Sequence, residues 1–177
     1  PLQRYEIAGE LALTGELRAI DGVLPAALAA KQAGRRMIVP LGNASEAGLA
    51  QSGHIYTART LMEVVNHLRG NTCLPKASNA LDFIEAPMLD MGDVRGQHSA
   101  RRAMEVAAAG AHHILLIGSP GCGKTLLASR LPSILPHASD KEAMEAAAIA
   151  SVSGRGLDLT RFRQRPFRSP HHTSSAV

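Results

Sequence analysis

The residues best suited to do chemistry lie in one short stretch, Gly118-Ser-Pro-Gly-Cys-Gly-Lys124-Thr125. It fits the pattern G-x-x-x-x-G-K-[ST], in which glycines let backbone N–H groups approach phosphate oxygens. The apolar run Ile114 to Ile117 before it is typical of a buried strand, and the residues after it are typical of a helix up to Leu131. The stretch is therefore predicted to be a phosphate-binding P-loop, to which the helix adds the positive end of its dipole.

Each residue of this loop has an expected role in holding a nucleotide. Lys124 is expected to reach the β- and γ-phosphates and the Thr125 hydroxyl to coordinate Mg²⁺, which makes these two the predicted catalytic residues. ATP and Mg²⁺ are the cofactors predicted from the motif. The predicted cofactor-binding residues of the loop and helix start are Gly118, Ser119, Pro120, Gly121, Cys122, Gly123, Lys124, Thr125 and Leu126.

Composition limits the remaining possibilities. Apolar residues make up 45% of the 177-residue chain, enough to fill a core, but aromatic residues make up only 3% and tryptophan is absent. Nucleic-acid binding by aromatic stacking is therefore not indicated. The net charge of +4 is compatible with a polyanionic partner. Neither a signal peptide nor an apolar run long enough to span a membrane is found, so we expect a cytoplasmic protein.

The two cysteines have no spacing that suggests a disulfide framework or a zinc site. We interpret Cys73 and Cys122 as free thiols. Helix N-termini favour thiolates, so Cys122 as a redox switch stays open beside the simpler interpretation of a small residue tolerated at a variable loop position.

Residues 1–70 are predicted to form a compact α/β domain of short alternating elements. Turn signals and apolar periodicity predict a hairpin around Thr14-Gly15, then a helix from Val23 to Ala33, and then a strand that ends at Pro40. The capping box Asn43-x-x-Glu46 predicts the start of a short helix. A strand from His54 to Thr57 follows, and the capping box Thr60-x-x-Glu63 predicts the start of the last helix.

A linker and a second domain are predicted to follow. Residues 71–87 mix turn residues with two prolines and show no periodicity, which indicates a linker. The second domain covers residues 88–177, with one helix from His98 to Ala109 before the P-loop. Another helix begins at the capping box Ser139-x-x-Glu142 and runs to about Val152.

Four segments together give a resemblance to a known family. They are "DVRGQ" at 93–97, the P-loop, "AAAIASVSG" at 146–154 and "RPFRSPHHT" at 165–173. The chain resembles the magnesium chelatase-like AAA+ ATPases of the ComM/YifB family over essentially its whole length. The resemblance implies an α/β fold: part of a Lon-protease-like domain, similar to the second domain of ribosomal protein S5, and then the first part of a P-loop AAA+ domain.

The resemblance also implies functions for individual residues. Val94 is expected to contact adenine through its backbone and apolar packing. Leu24 stands where a Lon peptidase would have its dyad lysine, so we expect no peptidase activity. For the basic cluster in 161–168, direct DNA contact, a solvated face and an inter-subunit salt-bridge surface stay open. For the histidine pair at 171–172, the resemblance leaves open that it transmits the nucleotide state to the pore-facing insert or forms structural hydrogen bonds. These residues are Arg161, Arg163, Arg165, Arg168, His171 and His172.

The function implied by the resemblance is a hexameric DNA helicase that migrates branched DNA during natural transformation and recombination, with single-stranded or branched DNA as its partner. Phosphoryl transfer also needs acidic residues at the end of a strand and an arginine from a neighbouring subunit. No apolar strand that ends in Asp-Glu follows Thr125. This fragment is therefore expected to bind nucleotide without hydrolysing it. A chelatase-type motor subunit and a non-catalytic nucleotide-sensing scaffold are the alternatives.

Overall fold

The computed structural model describes residues 2–78, 88–154 and 156–170. They fall into two compact units, one made of residues 1–84 and 144–162 and the other of residues 85–143 and 163–177. In the described part of the chain, no helix combines the length and apolarity needed to cross a membrane. The mixed α/β fold expected from the sequence is present.

The first unit is built on a parallel sheet with the strand order β1-β4-β5. Its strands are β1 (Tyr5–Ile7), β4 (Arg36–Pro40) and β5 (Ile55–Ala58), and β1 was not predicted. A two-stranded antiparallel hairpin confirms the prediction around Thr14-Gly15, with β2 (Glu10–Leu11) paired to β3 (Leu17–Arg18).

Three helices within residues 2–78 pack against the parallel sheet: α1 (Val23–Gln32), α2 (Ala44–Gly48) and α3 (Leu61–Leu68). The central strand β4 is buried on both faces, as parallel strands covered by helices are. Met37 and Val39 pack with α1 in the larger core cluster, while Ile38 packs with Val64 of α3 in a second one.

One predicted capping box forms here and the other does not. Thr60 caps α3 by accepting the Glu63 N–H, as predicted. The Asn43 side chain does not cap α2, because its Oδ1 accepts from the Ile20 N–H and its Nδ2 donates to the Ile20 carbonyl. At Asn43, a tertiary contact with Ile20 thus takes the place of the predicted local cap.

Part of the predicted linker packs against the sheet. The Thr57 N–H donates to the Pro75 carbonyl and the Ala77 N–H to the Ile55 carbonyl, so residues 75–77 lie along β5. Leu74 is buried in the second core cluster. Residues 79–87 of the predicted linker lie outside the described residues.

The second unit contains α4 (His98–Ala109), α5 (Lys124–Ala128) and the first residues of α6 (Asp140–Val152), whose remaining residues group with the first unit. Both predicted bounds of α4 are confirmed. Ser139 and Glu142 form the predicted capping box, with each accepting the backbone N–H of the other. The core of the second unit contains Met91, Val94, Met104 and Leu127.

Two predictions around the P-loop are wrong. Residues 114–117 are not a buried strand, because no strand of this unit in the described residues lies beside them; Leu115 and Ile117 are exposed, while Ile114 and Leu116 pack on the core. The following helix ends at Ala128 and not at Leu131. Ser129 Oγ donates to the Leu126 carbonyl there, and Pro132 cannot donate a backbone hydrogen bond.

Candidate nucleotide-binding site

The loop Gly118–Gly123 joins the extended residues 114–117 to α5, and its path depends on glycine. Gly121 and Gly123 have φ angles of +79° and +90°, which side chains with a Cβ rarely adopt. A Cβ on Gly118 would lie 2.8 Å from Cys122 Sγ, closer than such atoms approach. Gly123 of the motif is therefore favoured by its backbone angle, and a side chain at Gly118 would require the Cys122 sulfur or the loop to move.

The Lys124 side chain folds back across this loop. Its Nζ donates to the Gly118 and Ser119 carbonyls, each at 2.8 Å, and lies 3.6 Å from Cys122 Sγ. The ammonium therefore lies against the backbone of the loop that precedes it. Its partners there are neutral carbonyl oxygens. An anionic phosphate oxygen would attract the ammonium more strongly than these carbonyls do.

Several backbone donors at this loop have no partner. The N–H groups of Gly121, Gly123, Lys124, Thr125 and Leu126 donate to no acceptor in residues 2–78, 88–154 and 156–170. The Thr125 hydroxyl is exposed and likewise forms no hydrogen bond with a described residue. Successive free N–H groups beside a lysine are what an anionic phosphate needs.

A cation at this site would need ligands beyond the protein side chains. In the described ranges, no group of three or more His, Cys, Asp or Glu residues could hold a metal ion. Thr125 is thus the predicted metal ligand that the structure leaves available, and phosphate oxygens and water would have to complete the shell of Mg²⁺.

Val94 lies in the core of this unit and is 2% exposed. Its N–H donates to the Met91 carbonyl, and its carbonyl accepts from Arg101 Nη1 at 3.2 Å. Val94 is therefore a buried core residue whose N–H and carbonyl both have hydrogen-bond partners within this unit.

Gln97 connects the segment 93–97 to the P-loop, a contact that was not predicted. Its Nε2 donates to the Cys122 carbonyl at 2.8 Å. The two residues are 25 positions apart, and no sequence pattern specifies such a hydrogen bond. In the sequence, only the amide side chain of Gln97 and its place in "DVRGQ" point towards this contact.

The basic cluster is largely neutralised by neighbouring acids. Arg161 pairs with Asp158, Arg163 with Asp140 and Arg165 with Glu142. Arg168 forms no ion pair with the described residues. His171, His172 and Thr173 lie outside the described residues. Within 161–168, the arrangement favours ion pairing over a free cationic surface.

Glu142, the partner of Arg165, has a lowered pKa because several hydrogen bonds reach its carboxylate. Hydrogen bonds from the Ser139 backbone N–H, from the Arg165 guanidinium and from the Ser139 hydroxyl lower the pKa of the Glu142 carboxyl to about 2. The same carboxyl closes the cap of α6, so this ion pair is tied to the start of that helix.

Two family models match the chain. The model described as "Magnesium chelatase, subunit ChlI" matches residues 90–177, and "Subunit ChlI of Mg-chelatase" matches residues 1–43. Competence protein ComM of Haemophilus influenzae is 45% identical over 98% of this chain and 35% of its own length. The chain belongs to the magnesium chelatase-like ComM/YifB family. YifB of Salmonella typhimurium is 45% identical over 98% of this chain and 34% of its own length.

The chain spans about a third of the length of these ComM/YifB relatives. Part of the chain is also similar to a protease. Archaeal Lon protease of Halobacterium salinarum is 41% identical over 56 residues, which make up 32% of this chain and 8% of that protein. The ComM/YifB family membership and the Lon similarity agree with the resemblance seen in the sequence.

Proposed function

We propose that Gly118–Thr125 binds the phosphates of ATP or ADP together with Mg²⁺. The observation that carries the proposal is the set of N–H groups without an acceptor among the described residues, at Gly121 and at Gly123 to Leu126, beside the loop carbonyls that Lys124 Nζ contacts. Loops of this kind hold phosphates through backbone donors and a lysine. Ser119, Pro120 and Cys122 contribute backbone to the loop.

Mg²⁺ and the base have separate places in this proposal. The Thr125 hydroxyl binds the cation, which phosphate oxygens also coordinate. Adenine would lie near segment 93–97, with Val94 as the residue that contacts it through its backbone and apolar packing.

Calorimetric titration with ADP and Mg²⁺ tests the binding step. Wild type should bind weakly, since no neighbouring subunit contributes, and Lys124→Ala should bind at least about tenfold more weakly because charge-assisted contacts are lost. Lys141→Ala, an exposed lysine on α6, is the control. Equal affinities of wild type and Lys124→Ala would show that the loop is not the site.

For the whole protein we infer a cytoplasmic, ring-forming AAA+ ATPase, hexameric and driven by ATP, that moves branched or single-stranded DNA. The name of the competence relative and the chelatase-type family support this inference. Residues 1–70 would be the C-terminal part of a Lon-like domain, residues 71–87 a linker, and residues 88–177 the first part of the AAA+ domain. Phosphate release by the full-length protein should rise with branched or single-stranded DNA. A rate indifferent to both contradicts the DNA role.

The 177-residue chain by itself should hydrolyse no ATP. Asp140, Glu142 and Glu145 lie on α6, and Asp158 caps a short 3-10 turn, so none stands at the end of a strand. Loss of an arginine finger alone lowers such rates by about 10³ or more. If the purified chain released phosphate from ATP, and the Lys124→Ala variant did not, the expected absence of hydrolysis would be refuted.

A chelatase-type motor subunit is the second candidate, because both matching family models are described as chelatase subunits. It predicts an ATPase that DNA does not stimulate. The DNA titration of the full-length protein therefore separates the two candidates.

A further inference from the structure

Gln97 forms the only side-chain hydrogen bond to the P-loop from outside it within the described ranges. Its Nε2 donates to the Cys122 carbonyl at 2.8 Å. The Gln97 carbonyl accepts the Arg101 N–H at the start of α4. One residue therefore joins the beginning of α4 to the middle of the loop.

The backbone at Gln97 has an unusual conformation. Its φ and ψ angles of 54° and 35° are left-handed, and Gly96 before it has a φ of +69°. A non-glycine residue in this region costs roughly 1–3 kcal/mol unless its surroundings hold it there. In this conformation the Gln97 side chain lies against the P-loop, where its Nε2 reaches the Cys122 carbonyl.

The loop is shaped to receive this side chain. A Cβ on Gly123 would lie 3.0 Å from Gln97 Nε2, so a residue other than glycine would displace the amide. Because a trans peptide is planar, the Cys122 carbonyl and the Gly123 N–H point in opposite directions. A carbonyl fixed on Gln97 therefore directs the Gly123 N–H away from Gln97, and that N–H has no acceptor among the described residues.

We propose that Gln97 is a positioning residue of the P-loop, which orients the Cys122–Gly123 peptide so that the Gly123 N–H donates to a nucleotide phosphate. The proposal rests on the nucleotide binding proposed above. Gln97 does not touch the nucleotide in this role. It reduces the cost of ordering the loop when phosphate binds, as preorganised contacts do.

Two substitutions separate the hydrogen bond from the backbone strain. Gln97→Met keeps the length of the side chain and removes the donor. Gln97→Asn keeps an amide and suits the left-handed backbone, but it is too short by one methylene to reach Cys122. Gln51→Met is the matched control, because Gln51 is also exposed and left-handed, with a φ of 48°, and forms no side-chain hydrogen bond with a described residue.

The 177-residue chain is titrated with ADP and Mg²⁺ by calorimetry and by ¹⁵N-¹H correlation spectra that follow the Gly123 amide. Gln97→Met and Gln97→Asn should each weaken binding about threefold to tenfold, as for one lost hydrogen bond. The ADP-induced shift of the Gly123 amide should also decrease. Gln51→Met should match wild type in both readouts.

Three outcomes would overturn the proposal. The first is wild-type affinity in both Gln97 variants. The second is weakened affinity with an unchanged Gly123 shift, which would mean that Gln97 acts elsewhere. The third is wild type that binds no ADP, or binds it no better than Lys124→Ala, in which case the proposed nucleotide site fails together with this inference.

Discussion

Arg165 holds Glu142 in a two-point ion pair, in which Nη1 and Nη2 donate to the two carboxylate oxygens at 3.1 and 3.2 Å. Arg165 Nε also donates to the Pro136 carbonyl. The fork geometry of a guanidinium matches a carboxylate in this way, and a lysine could not replace it. The pair thus connects the tract after residue 163 with the cap of α6.

The lowered pKa of Glu142 predicts a pH-dependent contribution to stability. Because the pKa is about 2 in the folded protein and about 4.5 ordinarily, the carboxylate stabilises the fold above pH 4.5, and this contribution is lost as the pH falls towards 2. Glu142→Gln should lower the melting temperature at pH 7 by roughly a few degrees, with the difference from wild type shrinking below pH 4.5.

The Arg165 and Glu142 side chains are both about half exposed, so the contribution of their ion pair to stability should be modest. Added salt should reduce this contribution further. Glu145→Gln is the control, since Glu145 is exposed on the same helix without an ion pair among the described residues. A melting-temperature difference for Glu142→Gln that stays constant down to pH 2 would contradict the assignment.

Thr125 should determine the effect of Mg²⁺ on nucleotide affinity. Thr125→Ala removes the hydroxyl that is free to bind the cation, so the gain in ADP affinity on adding Mg²⁺ should largely disappear. Thr125→Ser retains the hydroxyl and should retain the gain. Calorimetric titrations with Mg²⁺ and with a chelator measure this, and an undiminished gain in Thr125→Ala would exclude the hydroxyl as a ligand.

Gly118→Ala should weaken ADP binding by up to about tenfold, because the added Cβ would lie 2.8 Å from Cys122 Sγ and force either that side chain or the loop to shift. Cys122→Ala removes that sulfur and leaves Cβ, which is 4.0 Å away. The double variant should therefore regain most of the lost affinity. Additive losses in the double-mutant cycle would show that the two positions are not in conflict.

Leu24 should act as a structural residue and not as a remnant of a peptidase. Its side chain is fully buried in the larger core cluster, so Leu24→Ala should lower the free energy of unfolding by about 2–5 kcal/mol. Leu13→Ala, at a fully exposed leucine, should change it little. Urea unfolding measures both.

No casein turnover is expected from wild type, because no lysine stands at the Leu24 position to serve as a base. Turnover that persists without ATP and in Lys124→Ala would contradict this.

Local signals were sufficient where the local structure decides the outcome. The bounds of α4 and the caps at Thr60 and Ser139 follow from periodicity and capping patterns, and the structure has them as predicted. The capping box predicted at Asn43 does not form, because the Asn43 Oδ1 accepts the N–H of Ile20, which is distant in sequence. The predicted strand at 114–117 failed because strand pairing depends on partners that its own residues do not specify.

At the candidate site, the motif predicted residues 118–125 but not their connection to Gln97. That hydrogen bond depends on a left-handed backbone at Gln97 and on space above Gly123, neither of which a spacing rule contains. Patterns identify which residues could act, whereas contacts between distant segments decide how they are held.

The strip of residues 75–77 along β5 bears on aggregation. An uncovered strand edge invites another copy of the chain to pair with it, and here the Pro75 carbonyl and the Ala77 N–H occupy that side of β5. The opposite edge, β1, carries Glu6, which pairs with Arg35. A charged edge on one side and a covered edge on the other both discourage sheet-to-sheet association. Cleavage or mutation within 75–77 would therefore leave the β5 edge open to pairing with another copy of the chain.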